Sequence, residues 1–325
     1  MDRRTAILTI AAFSSLAAIA ARAQSARAVR VAWTSMSSAD PDSPFLQGFR
    51  GRMGDLGWVE GRNLAIDTWW ADGSAARMRE LVPQIVASQP DVIVATGGST
   101  RFFIDANVQL PVAFSLSADV VVAGIVKSWG RPGVNRTGVS FFSLELVPKR
   151  LELMKETLAH MKRVAIVGWP LHAGELLELD AAKTAAAKLG LLHHYYGAHT
   201  AAELDAAFEA IAQSKADAIL AFAGSITSLH ADRFAAFTVR SGIPAVSAWA
   251  VFAEKGNLMT YGPVLRESFV SLAGIVDRVL KGTKPADIPV ERPTKFELVI
   301  NMKAAKALGI AIPQSVLVRA DRLIE

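Results

Sequence analysis

The chain has 325 residues, 51% of them hydrophobic, with 35 Lys+Arg against 30 Asp+Glu and a formal net charge of +5. That excess is small and no basic stripe interleaved with aromatics accompanies it, so nucleic acid is not expected as a partner. There is no cysteine, which excludes disulfides and a cysteine-linked lipid, and leaves each domain to be held by its own apolar core.

Residues 1–23 read as a leader. Asp2, Arg3 and Arg4 give a charged start, residues 5–21 form an uncharged apolar run, and Ala21-Arg22-Ala23 places small residues where a signal peptidase cuts, so cleavage is expected after Ala23. The run is too short and wrongly flanked for a stable membrane span. Both the general secretory route and the twin-arginine route fit the Arg pair. Cleavage would remove three arginines and one aspartate, leaving a net charge of about +3. No second long apolar run follows, so the mature chain is expected to be soluble in the periplasm, with enough length for two domains.

Along the mature chain, residues 29–33 predict a strand and 45–56 a helix stopped at Gly57. Residues 64–70 alternate as a strand, 78–88 predict a helix, and 92–95 form the continuous apolar run of a strand covered on both faces. A helix over 100–108, a strand over 112–116, a helix over 120–129 and a short strand over 137–139 complete a β-α-β series of doubly wound type. The pattern then restarts with an amphipathic helix over 144–158, carrying Leu144, Val147, Leu151, Met154 and Leu158 on one face. Strands follow over 164–167, 192–196, 218–221, 245–247 and 258–261. Helices over the residues up to 189, 201–214 and 229–241 separate them. Residues 266–280 predict a further helix, 298–300 a strand and 302–308 a helix, before an extended end.

The restart is audible in the sequence itself. Residues 91–99 (DVIVATGGS) and 217–225 (DAILAFAGS) match at five of nine positions, at an offset of 126 residues. Each reads as a buried strand running into a Gly-Ser turn and a helix, the place where an open α/β sheet offers backbone N–H groups and small hydroxyls to a ligand. The fold expected is α/β: two doubly wound parallel-sheet lobes joined by a multi-strand hinge. No Pro/Ser linker separates them; residues 138–142, 262–263 and 289–293 read as three crossings. The lobes are drawn as 29–139 plus 264–290, and 140–263 plus 291–325.

Five segments carry a resemblance: PFLQGFR at 44–50, LGWVEGRN at 56–63, PDVIVA at 90–95, LMTYGP at 258–263 and PTKFELVIN at 293–301. Together they resemble ABC-transporter substrate-binding proteins of the tryptophan/tyrosine-binding type, over essentially the whole mature chain. The resemblance implies a type I periplasmic-binding-protein fold, ligand capture between two lobes, and delivery to an inner-membrane permease driven by a cytoplasmic ATPase. It also implies a small-molecule solute, an amino acid or a close analogue, and a monomeric receptor. Two departures stand out: Gly97-Gly98-Ser99 replaces a common Gly-Thr-Pro, and Val120 replaces the Pro that follows the acid at Asp119.

Strand ends supply the candidate ligand contacts. The first lobe offers Trp33, Ser35, Gly98, Ser99, Thr100, Ser117 and Asp119, and the second Trp169, Ser225, Trp249 and Tyr261. Ser99 and Thr100 open a helix and suit an anion as well as they suit simple capping. Asp119 either pairs with a ligand ammonium group or caps the next helix. The indoles of Trp33, Trp169 and Trp249 either sandwich a flat ligand or pack in the core.

Catalytic and metal readings find little. His193 and His194 are adjacent on a predicted strand and point to opposite faces, so they cannot chelate one ion, and no His pair has the spacing of a zinc helix. There is no Gly-x-Ser-x-Gly elbow and no Walker loop. No cofactor and no metal are expected, and no catalytic residue is assigned. The alternatives carried alongside the receptor are an exported two-domain α/β enzyme, such as a transferase, and a sensory ligand-binding module.

Overall fold

The computed structural model describes residues 27–141, 143–170, 172 and 174–325; the expected leader lies outside the described residues. Strands β1 (Val29–Ser35), β2 (Leu64–Trp70), β3 (Val92–Thr96), β4 (Val112–Leu116) and β5 (Arg136–Ser140) form an all-parallel sheet in the order β2-β1-β3-β4-β5. Helices α1 (Pro44–Asp55), α2 (Ala75–Ala87) and α3 (Ser99–Asp105) connect the first four strands. Every residue of β4 is buried, as befits a strand covered on both faces.

After α4 (Ser143–Thr157) the same plan repeats. Strands β6 (Arg163–Gly168), β7 (Leu192–Gly197), β8 (Ala218–Ala221), β9 (Ala245–Ser247) and β10 (Met259–Pro263) lie in the order β10-β9-β8-β6-β7, which is the order of the first sheet. Their connections are α5 (Glu175–Lys188), α6 (Ala201–Gln213), α7 (Ser225–Leu229), α8 (Ala231–Ser241) and α9 (Ala250–Glu254). The apolar face predicted for α4 is the one buried: Val147, Leu151 and Met154 join Ile166, Leu220 and Ile300 in one core.

From β10 the chain crosses back to the first lobe. Helix α10 (Leu265–Leu280) packs Phe269, Leu272, Ile275 and Val276 against Val31, Val92 and Val94 of the first sheet. It then returns as β11 (Phe296–Asn301), entering the second sheet from the crossing side. Strand β11 is therefore antiparallel to β10, the exception to the parallel pairing expected throughout. Helices α11 (Met302–Ala307) and α12 (Gln314–Leu317) and strand β12 (Arg322–Ile324), parallel to β11, occupy the end expected to be merely extended.

The three crossings run side by side. Ser140 N–H donates to Glu291 O (3.0 Å), Glu291 N–H to Gly138 O (2.9 Å) and Val264 N–H to Lys295 O (3.1 Å). Three adjacent connections, the third bonded to each of the other two, can bend together while limiting twist, as a hinge requires.

Two expected helices differ. Residues 120–129 form turns instead: Asp119 Oδ1 accepts the N–H groups of Val121 (2.9 Å) and Val122 (3.0 Å), and the single turn ends at Gly124. Three consecutive β-branched valines after the cap are poor material for extending it. Residues 229–241 are broken at His230, where α7 ends and α8 begins.

The sequence repeat has a structural cause. Asp91 accepts the N–H of Arg30 (2.7 Å), and Asp217 accepts those of Lys162 (2.7 Å) and Arg163 (2.8 Å), so each acid ties its strand to the neighbouring strand's start. The turns before them match as well: Gln89 and Lys215, also 126 residues apart, have φ of 52° and 57°. Among the described residues no helix is long and apolar enough to cross a membrane.

Candidate functional site

The carboxyl ends of both sheets meet in a cleft, the position at which open α/β sheets bind ligands. A cavity of about 380 Å³ lies there. The first lobe lines it with residues at or just past the ends of β1, β3 and β4, among them Ser35, Met36, Gly97 and Ser115; the second contributes Leu229, Trp249 and Val251. Phe141 comes from the first crossing and Leu265 from the start of α10, just past the second.

One wall is aromatic. Phe45 and Phe269 stack at 5.2 Å between centroids, Phe269 meets Phe141 at 6.2 Å, and Phe141 meets Trp249 edge-on at 6.0 Å. All four rings line the cavity. They offer flat apolar faces at spacings suited to offset or edge contacts. The polar part of the lining includes Ser35, Ser37, Asp40, Thr96 and Ser228. The Ser115 hydroxyl and the Trp249 Nε1–H are buried and have no hydrogen-bond partner among the described residues. Buried groups of this kind are normally satisfied, so the two are exceptions among the lining residues.

Beside this cavity lies a second, of about 430 Å³, lined by Asp72, Ser74, Trp169, His199, Thr200 and His230 among others. Met36 and Leu229 line both. Across the cleft a narrow gap is lined by Gly97, Gly98, Thr100, Leu116 and His172. His172 Nδ1 accepts the Gly174 N–H (3.2 Å), and burial holds the imidazole down to about 4. The lobes touch on both flanks: Leu229 packs at Gly73 and Gly174 at Ser117 and Ala118. The cleft is closed.

Of the residues expected at strand ends, Ser35 and Trp249 line the main cavity, Trp169 the second, and Gly98 and Thr100 the narrow gap. Ser99 is fully buried and its hydroxyl is engaged with Thr34 and Thr96; the Thr100 hydroxyl donates to Ala95 O. Ser117 is buried at the lobe contact, with no hydroxyl partner among the described residues. Asp119 caps its own turn. Trp33 lies behind Phe269 in the first core, 5.6 Å away and 5.3 Å from Phe49. Tyr261 packs against the second core, its carbonyl held by Arg150 Nε at 2.8 Å. Ser225 opens α7, the helix that brings Ser228 and Leu229 to the cavity. Phe45, Phe141, Leu229, Leu265 and Phe269 were not among the expected residues.

Under the second lobe's side of the cleft lies a buried charged cluster. Glu175 accepts from the Tyr195 hydroxyl at 2.7 Å, and burial pushes its carboxyl up to about 7 despite that bond and one from the Trp169 N–H. Glu178, deeper still, is raised well above the usual carboxylate range by burial, with Arg150 pulling the other way, and Arg150 is held down to about 10 by its own burial.

Two wound α/β lobes, three bonded crossings and a closed cavity at the strand ends define a type I periplasmic-binding-protein architecture. The family model described as ABC transporter substrate binding protein matches residues 30–324, and the chain belongs to that family. A conserved domain protein from Vibrio cholerae superposes with a TM-score of 0.85 at 29% identity, covering 91% of this chain and 100% of that one. An ABC domain from Streptococcus pneumoniae in complex with L-Trp superposes with a TM-score of 0.84 at 24% identity, covering 92% and 100%. A tyrosine-binding protein of Clostridioides difficile is 24% identical over 266 residues, 81% of this chain and 76% of that protein. Membership makes the chain a solute-binding receptor that delivers a small molecule to an ABC permease, on the periplasmic or extracellular side of the membrane. The family and fold are those of binding proteins.

Proposed function

We propose that the chain captures an amino acid or a related small organic solute with a flat apolar part, and passes it on chemically unchanged. The observation that carries this reading is the main cavity: four aromatic rings converge on it and both lobes wall it in. The rings take the apolar part of the solute. The names of two relatives, a tyrosine-binding protein and an L-Trp complex, support the same chemistry. In this reading the lobes are residues 29–139 plus 264–290 and 140–263 plus 291–325, the receptor is a monomer, and residues 1–23 direct export to the periplasm. The open form binds the solute on one lobe and closure adds the contacts of the other.

Calorimetry and thermal shift over amino acids and small aromatic acids test it. A solute at a hundred times its Kd should raise folding stability by about 2.7 kcal/mol and be recovered intact. Silence across the panel, together with chemical conversion of any one solute, would overturn the reading.

A further inference from the structure

We propose that Leu229 sets the length of the solute, as the partition between two chambers of one cleft; this rests on the receptor reading above. Leu229 ends α7 on the second lobe and lines both cavities, as does Met36 on the first. Its position is fixed from the opposite lobe. A methyl group on Gly73 would stand 3.1 Å from Leu229 Cδ2, tighter than ordinary contact, and Gly73 has a φ of 76°, which only glycine adopts without strain. The Gly73 N–H in turn donates to Met36 O at 2.6 Å, so the two sides of the partition are built together.

The inner chamber carries the four-ring wall; the outer one, of about 430 Å³, sets Trp169 and Ile226 beside Asp72, Ser74, His199, Thr200 and His230. Ser74 and Thr200 each cap a helix there from opposite lobes. A solute ending at Leu229 fills only the inner chamber. One that continued past it would meet the Trp169 and Ile226 side chains together with the polar edge, so the class admitted by a smaller side chain is an aromatic head with an extension, such as a dipeptide with an aromatic first residue or an aryl ether of tyrosine.

The test compares L-phenylalanine, L-tyrosine and L-tryptophan with L-phenylalanyl-glycine and O-benzyl-L-tyrosine, which extend the solute at either end. Calorimetry is run on the wild type, Leu229→Ala, Leu229→Val and Val251→Ala. Leu229→Ala should move the preference toward at least one extended solute by about tenfold, and Leu229→Val by less in the same direction. Val251 lines only the inner chamber, so Val251→Ala should weaken short and long solutes alike. Equal losses for short and long solutes in Leu229→Ala, or the same shift in Val251→Ala, would overturn the assignment. Should the wild type bind none of the five, the receptor reading for this solute class fails and the partition falls with it. Should the wild type bind while Leu229→Ala keeps its length preference, only the partition fails. Melting of the unliganded variants confirms that each is folded.

Discussion

Gly174 of the second lobe lies so close to Ser117 of the first that a Cβ atom on it would stand 2.8 Å from the Ser117 carbonyl oxygen. The neighbour is backbone and cannot swing away, and Gly174 has an ordinary φ of −97°, so the constraint comes from the facing lobe alone. Alanine there is compatible with each lobe separately and incompatible with their closed contact. Gly174→Ala should therefore leave unliganded melting nearly unchanged while costing about 1–3 kcal/mol of closure, or ten- to a hundredfold in affinity. Calorimetry measures the second and small-angle scattering the failure to compact. Wild-type affinity in this variant would mean that closure does not require the contact.

Trp249 contributes in two ways that substitution can separate. Its ring closes the aromatic wall against Phe141, and its Nε1–H is buried without a partner among the described residues. Trp249→Phe keeps most of the wall and removes the donor, which should weaken binding by up to about tenfold. Trp249→Ala removes both and should cost on the order of a hundredfold. If phenylalanine binds as well as tryptophan, the indole N–H is not a solute contact.

Some of this site was legible before the fold and some was not, for definite reasons. The repeat around Asp91 and Asp217 could be read because each acid fixes a strand start through backbone N–H groups, a local role that constrains residue type. Ser35 and Trp249 followed from the strand-end rule, which needs only strand positions. Trp33 and Tyr261 satisfied the same rule, yet their rings turn into the two cores. That depends on which face of the sheet each residue occupies, and a continuous apolar strand hides its faces. Phe45 and Phe269 lie on helices and pack there as core residues do; only the meeting of α1, α10 and the crossings turns their edges to the cavity. Asp119 was ambiguous between cap and ligand contact, and the geometry supplies the cap.

Arg150 and Glu178 are both almost completely buried in the second lobe, 0% and 1% exposed. The guanidinium spends Nε on the Tyr261 carbonyl, while its two Nη atoms and both Glu178 oxygens have no partner among the described residues. Each charge moderates the other's burial, so removing one leaves the other uncompensated. Arg150→Met alone should cost about 3 kcal/mol of stability, and the double replacement Arg150→Met with Glu178→Met should recover most of it. Denaturant unfolding of the four proteins of this cycle measures the coupling. Additive losses would mean that the two charges act independently.

Glu175 and His172 flank the lobe seam and should pull stability in opposite directions with pH. The folded Glu175 carboxyl, raised to about 7 chiefly by burial, keeps its proton through a range in which the unfolded chain has lost it. Folding takes up a proton between about pH 4.5 and 7, so this group makes stability fall as pH rises through that window, by up to about 3 kcal/mol. His172, lowered to about 4 by burial, does the reverse: the unfolded imidazole binds a proton that the folded one refuses between about pH 4 and 6.5. Its contribution is lost as pH falls through that window. In the wild type the two slopes offset each other. Glu175→Gln keeps an acceptor for Tyr195 and the Trp169 N–H but does not titrate, so stability should then rise more steeply from pH 4 to 7. His172→Asn should give the opposite tilt. Chemical denaturation at half-unit pH steps separates them, and parallel profiles for both variants and the wild type would show that neither group is coupled to folding in this range.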